Sequence, residues 1–449
     1  MPERLFGTDG IRGKAGDYPL DEKTVEAMGR SLVKNLTLEL GRAPVLIIGR
    51  DTRESGPQIE NALARGAIRA GARVESAGVI TTPGVAFITR RESFDAGVVI
   101  SASHNPYQDN GIKVFSPSGK KLSDEMERRI EADLSSIDAT DAIDFESAHP
   151  SSLDTHRSLY IDHLVEGVGR GLSLDGMSVG LDCANGAASR IAPQVFERLG
   201  AKVEVICASP DGRNINESCG SLHLEKLQRL VADKKLDLGI AFDGDADRAL
   251  MVDERGALVD GDHELLILAR MRQKQNRLPG NTVVSTVMSN LGLEIALRRH
   301  HIEMIRAQVG DRFVLEEMIG RRANLGGEQS GHIIFPDISL AGDGIITAIE
   351  MLRAVKDFDQ SLSQLASELK KFPQILVNVR VSSKPPIETL PAVASEIQKM
   401  EDEMQGRGRL LVRYSGTENL ARVMIEGEDQ TRIEKQAHHL ADLIRRSIG

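Results

Sequence analysis

The sequence predicts an α/β protein made of three related α/β domains followed by a smaller C-terminal α+β domain. Its 449 residues, at roughly 150 per domain, are enough for about three sizeable cores. A strand, polar loop and helix pattern recurs three times along the first 370 residues, and the pattern changes after Lys371.

The first copy is the strand Val45-Leu46-Ile47-Ile48 with its loop Asp51-Thr52-Arg53, followed by a helix over about Pro57–Ala72. The second is Val179-Gly180-Leu181-Asp182-Cys183, a helix over about Ala188–Leu199, and the strand Ala201–Ile206. The third is Val283–Met288, a helix over about Leu291–His300, and the strand Ile302–Ile305. Such β-α-β units need parallel strands joined by right-handed crossovers. Each unit leads to a further apolar strand that ends in a polar, glycine-bearing loop. These are Gly97–Ile100 into Ser101, Leu238–Phe242 into Asp243, and Ala323–Leu325 into Gly326. Open α/β sheets bind ligands at such strand ends. Beyond Lys371, Ile375–Val381 alternates as a strand, a helix covers about Ile387–Met404, strands lie near Gly408–Tyr414 and Arg422–Glu428, and a helix closes the chain. Linkers are expected at His149–Ser152, Asp253–Gly256 and Lys370–Pro373. The expected domains are therefore 1–152, 153–255, 256–371 and 372–449.

Composition removes several function classes. Lys and Arg number 56 against 66 Asp and Glu, for a net charge of −10. This balance disfavours nucleic acid and anionic membranes as partners. Aromatic content is 3% with no Trp, which leaves little for stacking on bases. Neither a signal region nor a membrane-length apolar run is present. The three cysteines, Cys183, Cys207 and Cys219, are odd in number and lack C-x-x-C spacing, so a reducing, cytoplasmic setting is expected.

Four loops carry chemistry. Ser101-Ala102-Ser103-His104-Asn105-Pro106, with Lys113 downstream, combines a hydroxyl, a titratable ring and a cation. Its competing reading is a turn whose side chains cap the backbone. Asp243-Gly244-Asp245-Ala246-Asp247-Arg248 puts three carboxylates at alternate positions, which suits a hard divalent cation. An EF-hand is excluded, because Arg248 stands where that loop demands glycine and both flanks read as strands. Gly326-Gly327-Glu328-Gln329-Ser330-Gly331-His332 offers groups that hydrogen-bond sugar hydroxyls, and its spacing is not that of a nucleophile elbow. Arg413-Tyr414-Ser415-Gly416-Thr417-Glu418-Asn419, with Arg422, combines guanidinium groups, hydroxyls and a glycine turn suited to phosphate. No Walker A sequence is present. A hydroxyl carrier, a metal loop, a sugar loop and a phosphate nest together describe phosphoryl transfer on a phosphorylated polyol.

These four motifs, in this order and across nearly the whole chain, resemble the α-D-phosphohexomutase family. Phe6-Gly7-Thr8-Asp9-Gly10-Ile11-Arg12-Gly13, Ser at position 101, and Glu328-Gln329-Ser330-Gly331-His332 resemble its amino-sugar branch. The resemblance implies a heart-shaped enzyme of four domains with mixed sheets around a central cleft. It implies that Ser103 carries a phosphoryl group and that one Mg2+ is held by Asp243, Asp245, Asp247 and Ser103. It also implies that Arg12, His104, Lys113 and Arg248 line the reaction centre, with the proton assigned to either Lys113 or His104. Glu328 and Ser330 would hold sugar hydroxyls, and Arg413, Ser415, Gly416, Thr417 and Arg422 the non-reacting phosphate. Two positions depart from the pattern: Ala246 stands where glycine is usual and Asn419 where proline is common.

The implied reaction interconverts glucosamine 6-phosphate and glucosamine 1-phosphate through phosphoserine, with glucosamine 1,6-bisphosphate as primer and intermediate. A homodimer, and first phosphorylation of Ser103 by a kinase or by the enzyme itself, are further implications of the resemblance. The alternatives are glucose or mannose phosphate as substrate, and a non-catalytic phosphosugar sensor.

Overall fold

Apolar runs rich in Val, Ile and Leu become the inner strands of three sheets that share one strand order. The computed structural model describes residues 5–7, 9–134, 150–404, 406–415 and 419–449, without the side chains of 150–153. The first sheet runs Ile11–Lys14, Asp109–Phe115, Ala96–Ile100, Val45–Arg50, Arg73–Val79. Its last three strands are parallel, and Asp109–Phe115 returns antiparallel to Ala96–Ile100. The second sheet repeats this order with Leu258–Val259, Ala249–Asp253, Leu238–Phe242, Ser178–Asp182 and Lys202–Ile206. Again three parallel strands meet one antiparallel return. The third is shorter: Ile333–Ile334, Gly326–Gly327, Thr282–Thr286, Glu303–Ala307. In all three, the loop singled out by sequence joins the third inner strand to the antiparallel return.

The chain forms two compact units, Met1–Val287 with Met304–Ser367, and Met288–Glu303 with Glu368–Gly449. In the first unit, the helices Glu22–Leu40 and Gly56–Arg69 cover the first sheet. Their buried faces, including Val25, Leu32, Ile59 and Leu63, join Leu46, Ile48, Val98 and Ile100 in one core. The two helices approach closely because Gly29 and Gly66 face each other's backbone. A Cβ on Gly29 would run into the Leu63 carbonyl, and one on Gly66 into the Glu26 carbonyl. In the second unit, Leu420–Gly427 lies between Gln374–Arg380 and Gly408–Tyr414, all antiparallel. The helices Pro391–Met404 and Gln430–Ile448 bury Val393, Leu440 and Ile444 against Val379, Val423 and Ile425.

Several local expectations shift. The third unit's final inner strand is Gly326–Gly327, just past the predicted Ala323–Leu325, because its pairing with Val284 falls at Gly326. Asp253–Gly256 is a hairpin turn inside the second sheet, closed by the Asp253 carboxylate on the Arg255 and Ala257 amides, and the sheet takes its edge strand from beyond it. The expected linker at 149–152 runs into the helix Pro150–Asp162, and His149 lies outside the described residues. The helix Leu291–Arg299 groups with the second unit, where its Leu291 amide donates to Glu426 Oε2 at 3.1 Å. Among the described residues no helix is long and apolar enough to cross a membrane.

The backbone contact at Gly66 leaves no room for a methyl group. Gly66→Ala is expected to lower stability by about 1–3 kcal/mol through overpacking, measured as a lower denaturant midpoint, whereas an alanine at Gly320, where nothing lies within 4 Å, would show no such clash.

Candidate active site

The serine loop is fixed from below by a buried arginine. Ser103 follows the fully buried strand Ala96–Ile100 and takes a left-handed backbone, φ 53°. Arg53, buried and paired with Asp51 at 2.9 Å, donates to the carbonyls of Ser103 (2.9 Å), Asn105 (2.8 Å) and Asp109 (3.0 Å), and to that of Pro106. Asp51 also accepts from Ser101 Oγ at 2.7 Å, and Ser101 Oγ in turn accepts from the Ser103 amide at 2.9 Å. From the other side Asn216 Nδ2 donates to Ser103 O (2.9 Å) and Asn105 O (3.0 Å). The loop's carbonyls are thus satisfied twice over, which leaves the Ser103 hydroxyl in one place.

That place is the acidic loop. Ser103 Oγ donates to Asp243 Oδ2, and His104 Nδ1 lies 3.4 Å from the same Oγ. Asp243, Asp245 and Asp247 are all buried and offer carboxylate oxygens within 4.8 Å of one another. Burial, followed by repulsion from Asp247 and Asp245, pushes the Asp243 carboxyl well above its ordinary range. Burial opposes charge on Asp247 too, yet Lys113, His332 and Arg248 hold its carboxyl well below that range. Lys113, reaching from the strand Asp109–Phe115, lies 2.9 Å from Asp245, 3.1 Å from Asp9 and 3.5 Å from Asp247. Burial works against its charge, and these three carboxylates more than offset it. His104 behaves oppositely: burial and the nearby Arg248 and Arg12 lower it to about 4.

The triad suits a hard cation. Asp245 Oδ1 and Asp247 Oδ1 are buried with no hydrogen-bond partner, and every candidate ligand is oxygen. Gly244 is required here, since a Cβ would lie 2.5 Å from Ser103 O and 2.9 Å from Ile215 Cδ1. Ala246 takes φ 55°, the left-handed region that explains glycine as the residue expected there.

The third loop closes on the second. Gly331 O accepts from the Ala249 amide at 3.2 Å, and Gly344 donates to Ala246 O at 3.0 Å. Glu328 Oε1 accepts from the Gly310 amide at 3.0 Å, and the Ser330 hydroxyl is buried without a partner. His332 stands 3.7 Å from Asp247 and 3.8 Å from Asp311; burial disfavours its charge, but these carboxylates raise it above its ordinary value. A cavity of about 430 Å³ opens beside Asp9, Lys113, Lys121, Asp247, Asp311 and His332. Arg12 pairs with Asp9 on its rim.

In the second unit, Arg413 and Arg422 are direct cross-strand partners. Burial, then the charge of Arg422, lowers the Arg413 guanidinium. Arg422 reaches Ser415 Oγ at 3.5 Å, and Lys384 donates to Ser415 O at 2.8 Å. Like charges placed opposite each other destabilise a strand pair unless an anion joins them. Gly416 and Thr417 lie outside the described residues.

The structure therefore brings together Ser103, His104, Lys113, Arg12, the three aspartates, Arg248, Glu328 and Ser330 in the first unit, and Arg413, Ser415 and Arg422 in the second. Sequence reasoning missed Arg53, Asp51, Asn216, Thr82, Asp9 and Lys384. Thr82 Oγ1 donates to Asp245 Oδ2 at 2.5 Å. Asp51-Thr52-Arg53 leaves a strand with opposite charges two residues apart, a signal available in the sequence, whereas nothing local marks Asn216.

Comparison with known proteins identifies the family. The chain matches the family descriptions "Phosphoglucomutase/phosphomannomutase, alpha/beta/alpha domain I" over residues 3–141, domain II over 158–256, domain III over 260–372 and the C-terminal domain over 376–443. It is 50% identical to the phosphoglucosamine mutase of Solibacter usitatus over 451 residues, covering 100% of both chains. The crystal structure of a phosphoglucomutase/phosphomannomutase family protein from Burkholderia thailandensis has the same fold, with a TM-score of 0.79, 21% identity, and coverage of 100% of this chain and 99% of that one. Aspergillus fumigatus N-acetylphosphoglucosamine mutase, solved with GlcNAc-6P and magnesium, superposes with a TM-score of 0.66 at 18% identity, covering 99% and 96%. With all four family segments matched in order, the chain belongs to the phosphoglucomutase/phosphomannomutase family.

Proposed function

We propose that this chain is an isomerase that interconverts glucosamine 6-phosphate and glucosamine 1-phosphate through a phosphorylated Ser103 and glucosamine 1,6-bisphosphate. The observation that carries the mechanism is the Ser103 hydroxyl bonded to Asp243 of a buried acidic triad, beside His104. The choice of sugar rests on the end-to-end identity with the Solibacter usitatus phosphoglucosamine mutase. In this reading the segments 1–152, 153–255, 256–371 and 372–449 each supply one loop, and the enzyme works in the cytoplasm.

Asp243, Asp245, Asp247 and Ser103 would hold one Mg2+, which when bound supplies electrostatic stabilisation to the transferring phosphoryl oxygens. The chain's own groups do the rest. A sugar hydroxyl attacks the phosphorus, the bond from phosphorus to Ser103 Oγ breaks, and a proton passes from the sugar oxygen to the serine oxygen. His104, 3.4 Å from Oγ, is placed to handle that proton at the serine. Lys113 and Arg248 hold positive charge beside the aspartates, where they offset the phosphoryl charge. Arg12, paired with Asp9, extends this positive lining. Glu328 and Ser330 hold sugar hydroxyls, and the partnerless Ser330 hydroxyl supplies a free donor and acceptor. Arg413, Arg422 and Ser415, with Gly416 and Thr417, hold the phosphate that does not react. After the first transfer the bisphosphate reorients and returns its other phosphate to Ser103.

Purified protein, loaded with Mg2+ and primed with the bisphosphate, is expected to show its highest kcat/KM on glucosamine 6-phosphate. A preference for glucose or mannose phosphate would keep the mechanism and overturn the substrate, and activity on none would leave a phosphosugar-binding protein. Ser103→Ala is expected to abolish turnover while leaving far-UV circular dichroism unchanged, and near-normal turnover would remove Ser103 as the carrier. Arg413→Ala is expected to raise KM about tenfold to a hundredfold, the worth of one charge-assisted hydrogen bond to phosphate, with a smaller effect on kcat.

A further inference from the structure

The loop between Cys207 and Cys219 takes no part in the chemistry above, yet its two ends are thiols in contact. Cys207 follows the strand Lys202–Ile206, and Cys219 precedes the turn Gly220–Leu222. Their sulfurs and one Asp182 carboxylate oxygen lie within 4.8 Å of one another. Cys207 is half-buried and Cys219 buried, so only the first is open to a reagent from solvent. Asn185 Nδ2 donates to Cys219 Sγ at 3.9 Å, which orients the buried sulfur. The third cysteine, Cys183, is wholly buried, and burial pushes its thiol up, away from reactivity.

The loop has little slack. Cys207, Asn216 and Ser218 all take left-handed backbone, with φ of 51°, 60° and 50°. Cys207 O accepts from the Asn185 amide, and the Asn216 amide donates to Ala184 O at 2.9 Å. Within the same loop, Gly212 O accepts from the Glu54 amide at 2.9 Å and Arg213 pairs with Glu54 at 2.6 Å. The loop holds the serine loop through Asn216, which donates to Ser103 O and Asn105 O.

We propose that Cys207 and Cys219 form an oxidative modification site, at which a hydroperoxide converts the pair to an intramolecular disulfide that pulls on Asn216 and slows turnover. In the first step the Cys207 thiolate attacks the hydroperoxide, the O–O bond breaks, and Cys207 becomes a sulfenic acid as the other oxygen leaves as hydroxide or alkoxide. In the second, the Cys219 thiol, whose ionisation the Cys207 contact and burial both oppose, passes its proton to the neighbouring Asp182 carboxylate as it attacks the Cys207 sulfur, the S–O bond breaks, and the hydroxyl takes up that proton and leaves as water. Two sulfurs are each oxidised by one electron overall, and the peroxide is reduced by two. The Cys219 thiol donates to the Cys207 sulfur, which lowers Cys207 toward the thiolate the first step needs. Closing the bond draws the sulfurs from non-bonded contact to about 2.05 Å. Because both ends of the loop are already held, the strain falls on Asn216 and loosens the seat of Ser103.

The test is peroxide treatment of the full-length protein, followed by peptide mapping and turnover measured on the same sample. A Cys207–Cys219 crosslinked peptide, with kcat lowered about tenfold to a hundredfold and recovered by dithiothreitol, is the expected result. Cys207→Ser and Cys219→Ser are expected to keep basal activity and to resist the loss. The mapping reads the disulfide without any assumption about substrate, so failure of the site and failure of the proposed reaction are told apart. Free thiols after treatment, a crosslink through Cys183, a 207–219 crosslink with unchanged turnover, or the same loss in both serine variants would each overturn the proposal. Release of zinc during oxidation, read with a chromophoric chelator, would also overturn it and make Asp182, Cys207 and Cys219 a metal site.

Discussion

Three buried carboxylates whose oxygens lie within 4.8 Å of one another are the constraint around which this molecule is arranged. Such a loop is unfavourable by itself, since each charge has lost its hydration and repels its neighbours. Its surroundings offset that cost one group at a time. Lys113 comes from a strand of the first sheet, Arg248 from the loop itself, and His332 from the third sheet. The Asp243 carboxyl, the one pushed up, is also the one that accepts from Ser103. The site's electrostatics and the Ser103 hydroxyl are therefore one arrangement, and a cation that joined it would complete a balance that protein groups leave partial at Asp245 Oδ1 and Asp247 Oδ1.

A shared strand order makes that convergence possible. In each of the three sheets the inner strands are parallel and the last one turns back antiparallel, so each fold presents a tight loop at the same place. Backbone contacts, Gly331 O to Ala249, Ala246 O to Gly344 and Gly244 against Ser103 O, run beside the side-chain contacts of Ser103 with Asp243 and His332 with Asp247. Of the loop side chains, Asp247 and His332 line the cavity. The serine loop goes further and has its carbonyls bound by Arg53 and Asn216, side chains from outside its own hairpin.

Much of this was legible in the sequence because the signals are local. A run such as Leu238–Phe242 followed by Asp-Gly-Asp-Ala-Asp-Arg reads as a buried strand and a carboxylate cluster, and the structure has the strand buried and the three carboxylates together. The same holds for Ala96–Ile100 as the strand before Ser103, whereas the register that sets Arg413 opposite Arg422 is visible only in the structure. Long-range partners were not legible. Asn216 reaches Ser103 across a loop with no periodic signature, and Thr82 reaches Asp245 from a helix N-terminus whose sequence reads as an ordinary cap. The strand at Gly326–Gly327 was misplaced because two glycines carry no β-branched signal; its pairing with Val284 alone defines it. The helix Leu291–Arg299 follows its predicted span, yet its neighbours are set by the Leu291 amide on Glu426, a contact more than a hundred residues away in sequence.

The facing arginines of the C-terminal sheet have a consequence for how the protein responds to salt. Mobile ions screen the repulsion between Arg413 and Arg422, so rising ionic strength relaxes that strand pair. If the loop takes a sugar phosphate, as proposed, the same ions weaken the attraction of both guanidinium groups for that dianion. Salt thus acts with opposite sign on the empty and the loaded loop, and the difference between the two states narrows from both ends. A C-terminal unit that is tolerant of salt when empty, and sensitive to it when full, follows from two residues on neighbouring strands.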